Sequence, residues 1–283
     1  MKKVLGIIGS PRKNGNCEFA VKEISRKIAK EHKLSLLRLR DFDLKACNAC
    51  YKCVSDDSPC VLNDDLEIIL NLICGADALI LAVPVYFLGP NSYLKRLLDR
   101  GMSFYSKGES LWGKPSIGVG VAGIKGKEGY TLLGIHSFLK SILADVKALE
   151  ILYGALPGEV IYSGENEGTI AKIAEALFGK PAMKKKQVCP LCGGDSFQFL
   201  GGDKVKCLLC SNSGKICYQN DSICFDIKKD DKGLFLSEPD ALEHRQWLKG
   251  TKKQFLSEVS RIKAIREEYK NDGEWIKKYK IKE

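Results

Sequence analysis

Histidine is scarce in this chain: three in 283 residues, His32, His136 and His244, each in a separate segment. None has a nucleophile or carboxylate partner evident in the sequence around it, so chemistry built on a histidine base is set aside. Long apolar runs are missing too. The most apolar later stretch, residues 73–89, contains Asp77 and Pro84 and falls short of the roughly 20 residues a spanning helix needs. The opening Met-Lys-Lys-Val-Leu-Gly-Ile-Ile-Gly has a basic start, but its apolar run is too short for a secretory leader. Arg12 and Lys13 also stand where a cleavage site belongs. These absences predict a soluble, cytoplasmic protein with no membrane partner.

What is present is an ordinary globular balance, 45% hydrophobic and 28% charged residues, in a chain long enough for one or two domains. The formal net charge of +10 suits an acidic partner. Cysteine is the exception, with twelve residues. In a reducing compartment structural disulfides are not expected, and grouped cysteines point to metal. Eight are grouped: Cys47, Cys50, Cys53 and Cys60, then Cys189, Cys192, Cys207 and Cys210. Cys17, Cys74, Cys217 and Cys224 stand alone, and the first two read as small buried hydrophobes.

Over residues 1–180, apolar runs of strand type alternate with helical periodicity. Strands are predicted at Lys3–Gly9, Leu34–Leu39, Ala78–Val83, Ser116–Ala122 and Leu149–Tyr153, with helices between and after them. The pattern predicts an α/β fold, a doubly wound five-stranded parallel sheet covered on both faces. Ligands of such sheets sit outside the carboxyl ends of the strands, here at loops 10–16, 84–89 and 123–129. In the first loop Ser10, Arg12, Asn14 and Asn16 precede a helix start, a cradle for phosphate. In the second, Pro84-Val-Tyr-Phe-Leu-Gly89 offers flat apolar surface. Phosphate at one end and a planar ring at the other describe FMN. Gly118-Val-Gly120-Val-Ala-Gly123 fits the dinucleotide-binding string G-x-G-x-x-G, but most of it lies inside an apolar strand rather than at a strand-to-helix turn. NAD(P)H stays a candidate donor by stacking on the flavin.

GSPRKNGN after the first strand and ADALILAVPVYFLGPNSYLKRLLDR over residues 76–100 resemble two motifs of the NADPH-dependent FMN reductase family, a flavodoxin-like group. They are its phosphate loop and its third strand with the flavin loop. The resemblance implies that Ser10, Arg12, Asn16 and Cys17 hold the phosphate. It places Pro84, Val85, Tyr86, Phe87 and Leu88 against the isoalloxazine, and more loosely Gly123. Cys17 stands where the family usually has Ser or Thr.

The first cysteine group has the spacing C-x2-C-x2-C-x6-C in the loop after strand two, at the same sheet end as the flavin. Three thiolates in seven residues suit the corners of an iron-sulfur cube, whereas one zinc ion prefers two separated C-x2-C pairs. Space-filling thiols without metal are the alternative. Beside a flavin site the group resembles the iron-sulfur flavoprotein branch of the same family. That branch implies a 4Fe-4S cluster on Cys47, Cys50, Cys53 and Cys60, a ferredoxin-like carrier as partner, and a homodimer or homotetramer.

Residues 181–188, with Lys184-Lys-Lys-Gln-Val188, read as a linker. Cys189-x2-Cys192 and Cys207-x2-Cys210, fourteen residues apart, then predict a zinc-ribbon-like module at 189–226. Zinc is the expected metal there, and a single rubredoxin-like iron the runner-up. Residues 227–283 read as a helical basic tail with Phe255, Val259, Ile262 and Tyr269 along one face. Its lysines interleave with Glu258, Glu267, Glu268 and Asp272, a solvated helix rather than a nucleic-acid surface. The sequence thus predicts a flavin-dependent oxidoreductase that moves electrons between a one-electron carrier and a terminal acceptor through FMN. A clusterless NAD(P)H-dependent FMN or quinone reductase is the alternative, and a binding module with a vestigial sheet domain a third. No side chain is assigned a catalytic role, since the flavin supplies the reactivity.

Overall fold

The computed structural model describes residues 1–55, 58–182, 187–219, 222–230 and 236–273. Residues 183–186 of the expected linker, 220–221 of the expected ribbon module, and 231–235 and 274–283 of the expected tail lie outside the described residues. The chain begins with β1 (Lys2–Ile8), α1 (Asn16–Lys27), β2 (His32–Arg38), α2 (Lys52–Ser55) and α3 (Leu66–Cys74). It continues with β3 (Ala78–Tyr86), β4 (Gly89–Pro90), α4 (Ser92–Asp99), β5 (Pro115–Ala122), α5 (Thr131–Ser141), β6 (Asp145–Tyr153), α6 (Glu159–Tyr162) and α7 (Glu167–Ala176).

β1, β3 and β5 are near-continuous apolar runs because both faces of the sheet are covered. Successive residues of β3 show the division. Leu79, Leu81 and Val83 pack with residues of α3, α4 and α5, while Ala78, Ile80 and Ala82 pack with residues of α1 and α7. The parallel strands lie in the order β2-β1-β3-β5-β6, with β4 folded back antiparallel on β3. That is the doubly wound, flavodoxin-like order expected, and its switch point falls between β1 and β3. Inside β5, a Cβ on Gly118 would sit 2.5 Å from Ile135 and Leu149, and one on Gly120 2.5 Å from Ile151. These glycines admit side chains of α5 and β6 against the strand, which explains the decoy motif in packing terms.

The helix after β4 is short. α4 ends at Asp99, Arg100 turns inward, and residues 101–106 form a 3-10 turn. Gly101, a poor helix interior residue, follows the turning point.

A second, antiparallel sheet follows: β7 (Phe197–Gly201), β8 (Lys204–Cys207), β9 (Ser213–Gln219) and β10 (Ser222–Ile227), in the order β10-β9-β8-β7. Its core is Cys189, Cys192, Val205, Cys207, Cys210 and Ile227. The expectation of reduced, unpaired thiols fails at Cys217 and Cys224. The β9–β10 register sets them directly opposite, Cα atoms 4.9 Å apart, and they form a disulfide.

The tail comprises α8 (Glu238–Ser257) and α9 (Val259–Glu268), separated at Glu258. Ser237 caps α8, its Oγ accepting from the Asp240 N–H, with Pro239 in the first turn. The apolar face expected from Phe255, Val259, Ile262 and Tyr269 is not what packs: Phe255 and Tyr269 are exposed and α9 buries no residue. Ala241 and Leu248 of α8 are buried instead, against Val54 and Tyr105. The partner surface, not the periodicity, selects the buried stripe. Among the described residues no helix is long and apolar enough to cross a membrane.

Candidate active site and metal centres

After β1 the chain turns through Gly9 and Ser10 into α1, whose N-cap is Gly15 with no side-chain cap. An uncapped helix start leaves backbone N–H groups and the positive end of the helix dipole for an anion. Ser10 is buried and its Oγ accepts from the Arg12 N–H at 3.3 Å, while the Arg12, Lys13 and Asn14 side chains are exposed. Asn14 sits at φ +52°, and its N–H donates to Glu18 Oε2 at 3.0 Å. Arg38 Nη2 and Lys22 Nζ each donate to the same carboxylate at 2.6 Å. Burial works against the Glu18 charge, but Lys22, the Asn14 N–H and Arg38 outweigh it and hold the carboxyl below its usual range.

Two expected phosphate contacts are placed elsewhere. The Asn16 side chain donates to Gly154 O and accepts from the Gly158 N–H, both at 2.8 Å, so it ties α1 to the loop after β6. Cys17 is 2% exposed among Ala20, Val21 and Ile24, and burial pushes its thiol up to about 12. Its side chain belongs to the core, and what it offers the loop is backbone.

At β3 the ring loop is a two-residue hairpin: Tyr86 pairs with Gly89, and Phe87 and Leu88 between them have φ +48° and +64°. Such primed turns favour Asn-Gly, and an L side chain held there costs roughly 1–2 kcal/mol per residue. Strain of this kind collects at functional sites. Phe87 is fully exposed; Pro84 and Val85 are half-buried below it. The Tyr130 N–H donates to Leu88 O at 2.8 Å, and a Cβ on Gly89 would lie 2.4 Å from the Tyr130 ring, so the second and third loops brace each other. Gly123 follows β5 directly, beside Ala155. In the same loop Glu128 accepts from Tyr153 Oη at 2.5 Å, which pushes the phenol up to about 12.

Asn91 links the first and second loops. It is buried, its Nδ2 donates to Gly9 O at 2.7 Å, and its Oδ1 has no partner among the described residues. An uncapped helix and an exposed guanidinium on one rim fit the phosphate of a cofactor such as FMN, whereas the orphaned Asn91 acceptor calls for a donor such as a ligand hydroxyl.

The cysteine loop leaves β2, which runs parallel to β1, and so starts from that same rim. Cys47 and Cys50 are exposed, Cys53 and Cys60 half-buried. Ala49 and Tyr51, at φ +52° and +58°, curl the chain between the first three thiols, and the Ala49 N–H donates to Cys47 Sγ at 3.4 Å. Curled backbone of this type forms the nests found around iron-sulfur centres. Burial pushes the Cys53 thiol up; Ser103 eases it by a hydrogen bond, and Cys60, Cys47 and Cys50 push it up further. Cys60, Cys47 and Cys50 thus lie near enough to act on Cys53, while among the described residues the thiols gathered closely enough to hold a single ion are those of the second sheet.

Beneath them lies Arg100, which donates to Cys60 Sγ at 3.0 Å and to Asp64 Oδ2 at 2.5 Å. α8 closes one side of the loop through Val54 and through Tyr105 Oη, 2.5 Å from His244 Nδ1. Sequence reasoning missed Arg100, Asp64, Asn91, Glu18 and His244. Only Glu18, in an α1 first turn four residues after Asn14, had a local signal.

In the second sheet Cys189, Cys192, Cys207 and Cys210 bring their sulfurs within 4.8 Å of one another, all buried. Gly193, at φ +71°, donates its N–H to Cys189 O at 2.9 Å, and the Gly194 N–H reaches Cys192 Sγ at 3.4 Å. Ser211, at φ +60°, makes the matching turn with its N–H on Cys207 O. Hydrogen bonds from Cys192 and Cys207 hold the Cys210 thiol well below its usual range, and Cys207 is pushed up to about 11. Four buried thiols with their sulfurs this close together can hold a metal ion.

Residues 2–141 match the family described as NADPH-dependent FMN reductase. An iron-sulfur flavoprotein of Methanocaldococcus jannaschii is 34% identical over 140 residues, 48% of this chain and 70% of that protein. The chain belongs to the NADPH-dependent FMN reductase family. An iron-sulfur flavoprotein of Archaeoglobus fulgidus is 30% identical over 190 residues, 64% of this chain and 83% of that protein. Membership makes the chain a flavin-dependent oxidoreductase. A solved structure described as a flavone reductase, 17% identical, superposes at a TM-score of 0.73 over 98% of this chain and all of its own. The fold, ribbon and tail included, is thus shared beyond the part the family describes.

Proposed function

We propose that this oxidoreductase binds FMN at the carboxyl ends of β1, β3 and β5 and a 4Fe-4S cluster on Cys47, Cys50, Cys53 and Cys60. It would pass electrons between a one-electron carrier of ferredoxin type and a terminal acceptor. The observation that carries the reading is the shared rim: the four-thiol loop and the flavin loops leave the same end of one sheet. A flavin manages two electrons and a cluster one, so adjacency lets one protein join both currencies of electron transfer. Ser10, Arg12, Asn14 and the start of α1 would hold the phosphate. Pro84, Val85, Tyr86, Phe87, Leu88 and Gly123 would flank the ring, with Asn16 and Cys17 standing behind as braces. Cys189, Cys192, Cys207 and Cys210 would hold zinc, stapling a sheet too small to fold on apolar contacts alone. The positive net charge would draw an acidic carrier.

The test is analysis of protein made and kept without oxygen, with visible spectra before and after reduction. About four iron and four sulfide per FMN are expected, with one zinc per chain. FMN bound without iron or sulfide would instead support the clusterless NAD(P)H-dependent reading.

A further inference from the structure

Arg100 is the one lysine or arginine buried outright among the described residues, 1% exposed, and its fork faces the cysteine loop. Nη1 donates to Asp64 Oδ2 at 2.5 Å and to Lys45 O at 2.7 Å. Nη2 donates to Cys60 Sγ at 3.0 Å, with Asp64 Oδ1 a longer 3.4 Å away. Asp64 is itself fixed by the backbone N–H groups of Lys45 and Leu66. The carboxylate thus aims the guanidinium, and the second nitrogen is left pointing at sulfur. A guanidinium does not lose its proton in proteins, so the donor is permanent.

We propose that Arg100 is a positioning residue that raises the reduction potential of the centre on Cys60 through the N–H···S bond from its Nη2. The inference rests on the cluster assignment above. Hydrogen bonds to ligand sulfurs and local net charge are among the levers that set such potentials. Reduction adds one electron, supplied by an external reductant, and leaves the N–H on arginine. A donor to the ligand sulfur therefore stabilises the more negative state, and does so strongly where water is excluded. Cys47 and Cys50 lie at the surface, so the half-buried corner at Cys60, against the fully buried Arg100, is where a protein group has most leverage. A mere brace for the loop would instead alter iron occupancy or melting and leave the potential where it was.

The experiment is a mediated redox titration of the whole chain, prepared without oxygen, following cluster absorbance and electron paramagnetic resonance. The wild type, Arg100→Lys, and the double variant Arg100→Met/Asp64→Leu are compared. The double variant removes one charge of each sign, so a shift there reports the hydrogen bond and not net charge. At the wild-type midpoint its reduced-to-oxidised ratio is expected to fall at least tenfold, 59 mV for a one-electron couple. Arg100→Lys should fall between, since one ammonium is claimed by Asp64. Ratios within twofold of wild type in both variants, at full iron occupancy, overturn the proposal. Should neither variant assemble a cluster, the wild type labelled with 15N-arginine decides. A nitrogen coupling to the reduced cluster is expected, and its absence overturns the assignment. Wild-type protein lacking iron and sulfide sinks the parent reading, a result distinct from an unmoved potential.

Discussion

Replacing Glu18 with glutamine tests how the phosphate loop is held. The carboxylate is 7% exposed and pairs with Arg38, 14% exposed, at 2.6 Å. Removing one member of a buried pair costs about 3–5 kcal/mol when the other charge is left alone. Here three facts reduce that figure. Asp41 still takes Arg38 Nη1 at 3.0 Å, Lys22 is 39% exposed and turns to water, and the glutamine oxygen still accepts from one donor. A loss of about 2 kcal/mol remains, equivalent to a melting temperature lower by about 4–8 °C for a chain of this size. The pH dependence is the sharper signature. Glu18 titrates below its ordinary range, so its contribution is full above that range and is lost as pH falls through the lower folded value. Melting of wild type and Glu18→Gln, followed by circular dichroism from pH 7 downward, should show a full gap at neutrality. That gap should close below a pH of about 4.3. A gap equal at every pH, or none at pH 7, refutes the reasoning.

Arg12→Ala is expected to weaken FMN binding by about 10–100-fold, the worth of a charge-assisted hydrogen bond; flavin-fluorescence titration measures it, and unchanged affinity removes Arg12 from the site. Replacing Phe87-Leu88 by Asn-Gly should raise stability by about 1–3 kcal/mol by relieving the left-handed turn while weakening flavin binding. A lower melting temperature would show that the turn is not strained. Cys207→Ala should release the ribbon metal and open β7–β10 to protease while FMN stays bound to the sheet domain. Full metal content in that variant would contradict the four-thiol site.

The parallel sheet was legible because strands buried on both faces leave unbroken apolar runs, and because its functional loops must follow the strands' carboxyl ends. The two C-x2-C pairs were legible because their metal geometry is local. Arg100 was not: it closes a run, RLLDR, that a helical pattern continues, and only Asp64, 36 positions earlier, explains why it turns inward. Asn16 reads as a phosphate ligand until Gly154 and Gly158 arrive from far along the chain to occupy its amide. The pairing of Cys217 with Cys224 follows from hairpin register, which spacing alone does not reveal. In α8 the buried apolar residues are Ala241 and Leu248, because Val54 and Tyr105 shape the surface they meet.

The two sets of thiols differ in exposure, and that difference fixes the order in which air would damage the protein. Cys47 and Cys50 stand open to solvent, whereas Cys189, Cys192, Cys207 and Cys210 are enclosed. The opening through which a carrier would approach also admits dioxygen and peroxide, and accessible thiolates are the first to climb the oxidation ladder. Mass spectrometry of alkylated, air-aged protein should find sulfinic and sulfonic acids at Cys47 and Cys50 while the ribbon thiols are still intact. Ageing in air would take the loop thiols first and spare those of the second sheet.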